Sequence, residues 1–199
     1  MPRTSDKRER LIDAANVLIH RQGFHKTTLA DIARESDVPL GNVYYYFKTK
    51  EEICDAVIEE RKKELTSVLD GCCQSRGPKK ALLKMLQATM DESKAIAESG
   101  CPHGRLCTEL SNEIAGLQNS ADDCLKVMLN WATEQFQSMG YRNAKDLGFD
   151  FVARIQGIIL VGNSLHDEKQ IRTQLRGMCD WVESLTVPDG TGQTATRQD

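Results

Sequence analysis

Proline is scarce in this chain, 5 residues in 199, and aromatic side chains make up only 6%. So few helix breakers, beside many Ala, Leu, Glu and Lys, favour helices. No segment alternates apolar and polar residues with period two, so no sheet is expected. Long apolar runs are missing as well. The densest, residues 157–162, falls far short of the roughly 20 residues that a membrane span needs. The first ten residues are polar and charged, without the apolar stretch of a secretory signal. The 7 cysteines are odd in number and irregularly spaced, which argues against a disulfide framework and for reduced thiols in a cytoplasm. Cys-x-x-Cys, a P-loop, His-Glu-x-x-His, Gly-x-Ser-x-Gly and a dinucleotide fingerprint are all absent. No enzyme motif, metal site or cofactor is therefore expected.

What is present is an ordinary globular balance, 40% hydrophobic and 28% charged, long enough to bury a core without staples. The net charge of −3 conceals an asymmetry. Residues 1–50 hold 9 Lys and Arg against 6 Asp and Glu, a local +3, so the remainder carries −6. A basic head on an acidic body fits a polyanion-binding module carried by a body that does not bind the polyanion.

Helix periodicity begins at once. Leu11, Ala14, Ala15, Leu18 and Ile19 share one face, and Gly23 follows as a stop. Thr28 with Asp31 forms a capping-box pattern ahead of a short helix ending near Glu35. Ser36, Asp37 and Val38 make a turn, and Pro39 is tolerated at the start of the next helix, which holds Leu40 to Phe47. Two short helices across a tight turn, behind a longer one, describe a helix-turn-helix head. Tyr44, Tyr45 and Tyr46 are three of the four tyrosines in the chain. Successive residues lie about 100° apart around a helix, so the three cannot all face one core. An exposed phenol can pack on sugar and bond phosphate, with Lys48 and Lys50 close behind. The alternative for Tyr44 or Tyr46 is packing against neighbouring helices.

Residues 8–53 resemble the DNA-binding head of the TetR family of bacterial repressors. The match is carried by Gly23-Phe24, Thr27-Thr28, Asp31-Ile32-Ala33, Val38, Gly41, Val43-Tyr44, Phe47 and Lys50-Glu51. Two positions depart from the family pattern: Pro39 and Asn42 stand where Ser or Thr is common, both at the start of the recognition helix. The resemblance implies a double-stranded DNA operator as partner. On it, Gly41 lets the backbone approach the groove, and Tyr44 and Tyr46, with Tyr45 beside them, lie against the DNA backbone. Leu40 and Asn42 project from the end of the helix that reaches base edges. Thr28 either holds a phosphate at its helix N-terminus or serves as the cap alone. Lys50 is expected on a phosphate, carrying no sequence information.

The expected architecture is all-α, about nine helices: a three-helix head over residues 1–50, a helical body over 51–187 for ligand binding and dimerisation, and a disordered Gly/Thr/Gln-rich tail over 188–199. In the body, residues 50–69 form a linking helix, 75–78 a break, and 81–97 the next helix. A later helix carries Leu125 to Met139 and stops at Gly140. Residues 149–161 are apolar on most sides, and Ile171, Leu175, Met178, Val182 and Leu185 step by 4, 3, 4 and 3. This surplus of apolar surface places a homodimer interface at Ile155, Ile158, Ile159, Ile171, Leu175, Met178 and Val182, the alternative being an ordinary monomer core. The resemblance implies the same four-helix dimer, and a body pocket whose small-molecule effector shifts the linking helix and changes the separation of the heads. Candidate lining residues are Met85, Met90, Leu106, Leu129, Phe136 and Phe151, with plain core as the alternative reading.

The turn Ser-Gly-Cys-Pro-His-Gly from Ser99 resembles a segment of one subset of these repressors. Cys101 sits near a helix N-terminus, where the dipole favours thiolate, with His103 and Arg105 close by. Three readings stay open: a redox or electrophile sensor at Cys101, a metal site of Cys101, His103 and Cys107, or an inert structural turn. A small helical thiol enzyme using Cys101 and His103 is the rival from another class.

Overall fold

The computed structural model describes residues 4–110 and 117–186. The described residues form ten helices joined by short turns, with no strand among them. Three make the head: α1 (Thr4–Gln22), α2 (Leu29–Glu35) and α3 (Leu40–Tyr46). Seven follow: α4 (Lys50–Cys73), α5 (Pro78–Asp91), α6 (Ser93–Ser99), α7 (Pro102–Leu110), α8 (Leu117–Ser138), α9 (Ala144–Ser164) and α10 (Glu168–Ser184). No helix among the described residues is long and apolar enough to cross a membrane. The expected tail, 188–199, lies outside the described residues.

The local punctuation follows the sequence signals. Gly23 ends α1 with φ +91, a conformation that side-chain-bearing residues resist. Thr28 caps α2 reciprocally: its hydroxyl oxygen accepts the Asp31 N–H at 3.1 Å, and the Asp31 carboxylate accepts the Thr28 N–H at 3.1 Å. Pro39 occupies the cap of α3, with Val38 buried before it. Gly140 ends α8 at φ +88.

One expected helix divides. Residues 81–97 read as a single segment, but α5 starts at Pro78 and stops at Asp91, and α6 restarts at Ser93 across Glu92, whose ψ has moved to 2°. No glycine or proline marks the break. Contacts made on both sides hold it: Arg172 donates to the Met90 carbonyl at 2.8 Å and to Ser93 Oγ at 3.0 Å.

The head core gathers Leu11, Ile19, Phe24, Ile32, Val43 and Phe47, all nearly inaccessible. Helix α4 leaves the head and runs into the body, packing on α1 at one end and on α5 and α8 beyond. The body centres on α8 and α9, which make the most extensive contact of any pair. Gly148 permits it: a Cβ there would lie 2.9 Å from the Thr133 backbone nitrogen. Gly162 likewise admits Ile171 of α10.

Candidate DNA interface, body cavity and subunit face

Helix α3 is anchored by Val43 and by Phe47 just after it, both buried. That leaves Leu40, Gly41, Tyr44 and Tyr45 in the open, Tyr45 most of all at 73% exposure. Asn42 and Tyr46 are half covered. The Tyr46 ring meets Tyr45 edge-on at 5.0 Å, so one phenol braces the next. Lys48 Nζ donates to the Tyr44 carbonyl at 2.6 Å, which holds a cation beside the tyrosines. Two expected DNA contacts are engaged within the protein. The Thr28 hydroxyl donates to the Asp31 carboxylate at 2.6 Å, a bond that holds the carboxyl below its usual range together with the Thr28 N–H and Arg34. Lys50 Nζ donates to the Phe24 carbonyl at 3.0 Å and sits 4.1 Å over the Phe24 ring. Both groups must exchange these partners to reach phosphate.

In the body, a cavity of about 530 Å³ opens between α4, α5, α6 and α9. Leu65, Met85, Met128, Ile155 and Ile159 form its apolar wall. Glu64, Asp91 and Glu92 line it as exposed residues and so mark its mouth. Gly100, Cys101, Pro102 and His103 form the floor, with His20 of α1 beside them. Of the expected lining residues, Met85 is in place, and Phe151 borders only a small void next to it. Met90, Leu106, Leu129 and Phe136 do not line the cavity. Phe136 is fully buried in an aromatic cluster with Tyr141, Phe151 and Trp181. Met90 and Leu106 are core, and Leu129 packs against it. Residues that only the fold revealed are Gln156, His20 and the acidic mouth. The visible hint for Gln156 was a lone amide in the apolar run of α9.

Burial and the neighbouring Arg61 and His20 charges push the His103 imidazole down to about 4, so it is neutral near pH 7. Its buried Nδ1 has no hydrogen-bond partner. Cys101 Sγ accepts the Gly104 N–H at 3.4 Å and no bond joins it to His103, so the nucleophile–base pair of a thiol enzyme is not assembled. Burial raises the Cys107 thiol to about 12. Among the described residues no three His, Cys, Asp or Glu side chains are grouped to hold a metal, which removes the Cys101, His103 and Cys107 site.

Helix α7 joins cavity to head. Its first residues floor the cavity, and its far end reaches the α1–α2 turn. There the Glu109 carboxylate accepts the Phe24 N–H at 2.6 Å and pairs with Arg105 at 2.9 Å. Arg105 also donates to the His20 carbonyl at 3.0 Å. Arg61 of α4, 2% exposed, donates to Asn16 Oδ1 of α1 at 2.7 Å and to the Pro102 carbonyl of α7.

The expected subunit face needs correction. Ile155, Ile159, Ile171, Leu175, Met178 and Val182 are all buried within one chain, and Ile158 is half-buried. The seam of α10 packs on α5, α6 and α9 of its own protomer. What stays uncovered is a different apolar stripe on α9 and just beyond: Phe149, Leu160, Val161 and Leu165, each 58–69% exposed. Gly157 and Gly177 on the outer sides of α9 and α10 have nothing near them.

Residues 11–57 match the description of the bacterial regulatory proteins of the tetR family. The HTH-type transcriptional regulator LmrA of Bacillus subtilis is 28% identical over 163 residues, which span 78% of this chain and 86% of that protein. The HTH-type transcriptional regulator YxaF of the same organism is 27% identical over 178 residues, 84% of this chain and 91% of its own. Among solved structures, a TetR transcriptional regulator from Legionella pneumophila superposes with TM-score 0.77 at 21% identity, covering 92% of this chain and 97% of that one. Escherichia coli NemR in its reduced form superposes with TM-score 0.78 at 20% identity, covering 92% and 98%. The relatives are named as transcriptional regulators, not as enzymes. Residues 11–57 are thus similar to the DNA-binding head of tetR-family regulators, relatives named as transcriptional regulators are alike along most of the chain, and the fold is that of solved TetR regulators.

Proposed function

We propose that this regulator is a homodimeric repressor, acting in the cytoplasm, whose two heads grip a palindromic duplex operator and let go when a small molecule fills the body cavity. In this reading residues 1–50 are the DNA-binding unit and 51–187 the sensing and dimerising unit. Leu40, Gly41 and Asn42 face bases, while Thr28, Tyr44, Tyr45, Tyr46 and Lys50 serve the DNA backbone. One observation carries the coupling. The nine-residue helix α7 floors the cavity with Pro102 and His103 and holds the head at Phe24 through Glu109. A ligand that displaces its first turn moves the head's anchor, and release follows if ligand affinity differs between the two head positions.

The dimer supplies the second head, because one recognition helix spans only part of a palindrome. Its face is the uncovered stripe of α9, Phe149 to Leu165, flanked by Gly157 and Gly177, where small residues admit close helix approach. Large apolar side chains left exposed together along one helix are typical of an interface. Selecting bound sequences from random duplex DNA tests the whole proposal. The expected product is a two-fold symmetric site whose affinity falls steeply with salt. Recovery of no sequence, or of an asymmetric one bound by a monomer, refutes it.

Cys101 sustains one second reading because it lines both this cavity and an adjoining one of about 360 Å³. There the Cys101 thiol would add across the activated C=C bond of an electrophilic effector: the C–S bond forms as the π bond opens, and the thiol proton ends, by way of solvent, on the neighbouring carbon. Mass spectrometry and operator affinity after alkylation, with Cys101→Ser as control, decide it: an unmodified protein with unchanged affinity removes this reading.

A further inference from the structure

The cavity has acidic residues at its mouth and a buried cation behind its floor. Exposed Glu64, Asp91 and Glu92 stand at its mouth, where an anion would have to pass. No Lys or Arg lines it. Behind the floor lies Arg61, 2% exposed, its donors on Asn16 and on the Pro102 carbonyl, with no carboxylate paired to it among the described residues. A buried cation with no carboxylate bonded to it, only the charge of Glu64 nearby, projects its field into a low-dielectric cavity and opposes a second cation moving inward. Burial lowers both histidines on the floor, His103 to about 4, which keeps its imidazole neutral near pH 7.

Besides the buried His103 Nδ1 of the floor, a polar group on the wall is unpartnered. Gln156 of α9 borders the main cavity, the small void beside it and the adjoining cavity. Its side chain is half-buried and no hydrogen bond from it is formed to any described residue. Space for the amide is made by Gly104 of α7, where a Cβ would lie 2.5 Å from Gln156 Oε1. A primary amide offers two donors and an acceptor together. Apolar pockets take their specificity from a few such groups, and an amide left unpaired inside one stabilises whatever pairs with it.

We propose that the cavity takes an uncharged lipophile bearing a single hydroxyl, carbonyl or arylamine group, and that Gln156 bonds that group. The proposal rests on reading the body as the effector site. Gln156 also sits against α7, so the same bond places the ligand's polar end beside the helix that reaches the head.

The test is fluorescence titration of the full-length protein without DNA, using three probes of similar ring size. N-phenyl-1-naphthylamine is an uncharged arylamine. 1-Anilinonaphthalene-8-sulfonate has the same rings with an added sulfonate. Proflavine is a planar cation. The expected result is saturable binding of the uncharged probe, at one site per chain, at least about tenfold tighter than either charged probe. Gln156→Leu, checked for unchanged helicity and melting, should weaken the uncharged probe about three- to tenfold, the worth of one net hydrogen bond. Gln156→Glu, nearly isosteric, should weaken it likewise and raise proflavine binding. Tighter binding of the sulfonate, no binding of the uncharged probe, or a folded Gln156→Leu that binds as before would each overturn the proposal. A fourth measurement separates it from the reading beneath it. If the uncharged probe binds through Gln156 yet leaves operator affinity untouched, the ligand class stands and the effector role of the body falls.

Discussion

Removing the Glu109 carboxylate should loosen the head from the body without touching either DNA or ligand. That side chain accepts the Phe24 N–H at 2.6 Å, Phe24 being 2% exposed. A hydrogen bond to a charged group contributes about 1.5–3 kcal/mol net, and its loss strands a covered donor. The ion pair to Arg105 is partly exposed, 37% on the arginine side, so it adds less than about 1 kcal/mol. Glu109→Ala should therefore cost about 2–3 kcal/mol. For a chain of this length each kcal/mol shifts the melting temperature by about 2–4 °C, giving a fall of about 4–12 °C. Glu109→Gln keeps an acceptor without the charge and should lose about half as much. Circular dichroism melting reads the first quantity. Amide hydrogen exchange reads the second, with faster exchange confined at first to residues 23–28. The functional corollary is an operator affinity that responds less to effector. A Glu109→Ala protein melting within about 1 °C of the original, with the Phe24 amide equally protected, would refute the latch.

Three further outcomes follow. His103 titrates at about 4 when folded and near 6.5 when unfolded; the unfolded chain binds more protons in between, so this stability is intact above pH 6.5 and is lost as pH falls toward 4. The loss is up to about 3 kcal/mol, so the urea midpoint of His103→Phe should change less between pH 7 and pH 4.5 than that of the original, and equal shifts would contradict it. Val161→Arg, at a position 58% exposed, should leave helicity intact while light scattering reports a monomer with at least about tenfold weaker operator binding; a persisting dimer removes the α9 stripe as the interface. Lys50→Ala should weaken all DNA sequences alike and shallow the salt slope by about one, whereas Tyr45→Ala should weaken operator binding with no change in melting, and a lower melting temperature would mark Tyr45 as structural.

Short-range signals in the chain were enough for the head. Thr28 and Asp31 lie three residues apart, so their reciprocal cap is a local event, and Gly23 ends α1 by its own backbone freedom. The triplet of tyrosines had to expose at least one ring whatever it packed on, and Tyr44 and Tyr45 are the exposed ones. The charge asymmetry separates a basic head from an acidic body without any coordinate.

Elsewhere periodicity revealed that a face is covered but not by what. The 4-3-4 spacing of Ile171, Leu175, Met178 and Val182 fits a partner subunit or the chain's own core equally well. The core takes it, because α5, α6 and α9 fold back onto α10. Met85 and Met90 have the same chemistry and lie on one helix, yet only Met85 borders the cavity. Composition cannot distinguish them, since the difference is which residues leave space unfilled. The break at Glu92 carries no glycine or proline, and the bonds that hold it come from Arg172, about eighty residues away. Glu109 meets Phe24 across 85 residues, and Gln156 gains its room only because Gly104 lies opposite. The sequence by itself therefore determined the helices, their caps and the head that meets DNA, because those depend on neighbours in the chain. The cavity, the latch and the exposed stripe were decided only by tertiary structure, because each is made by residues that become neighbours after folding.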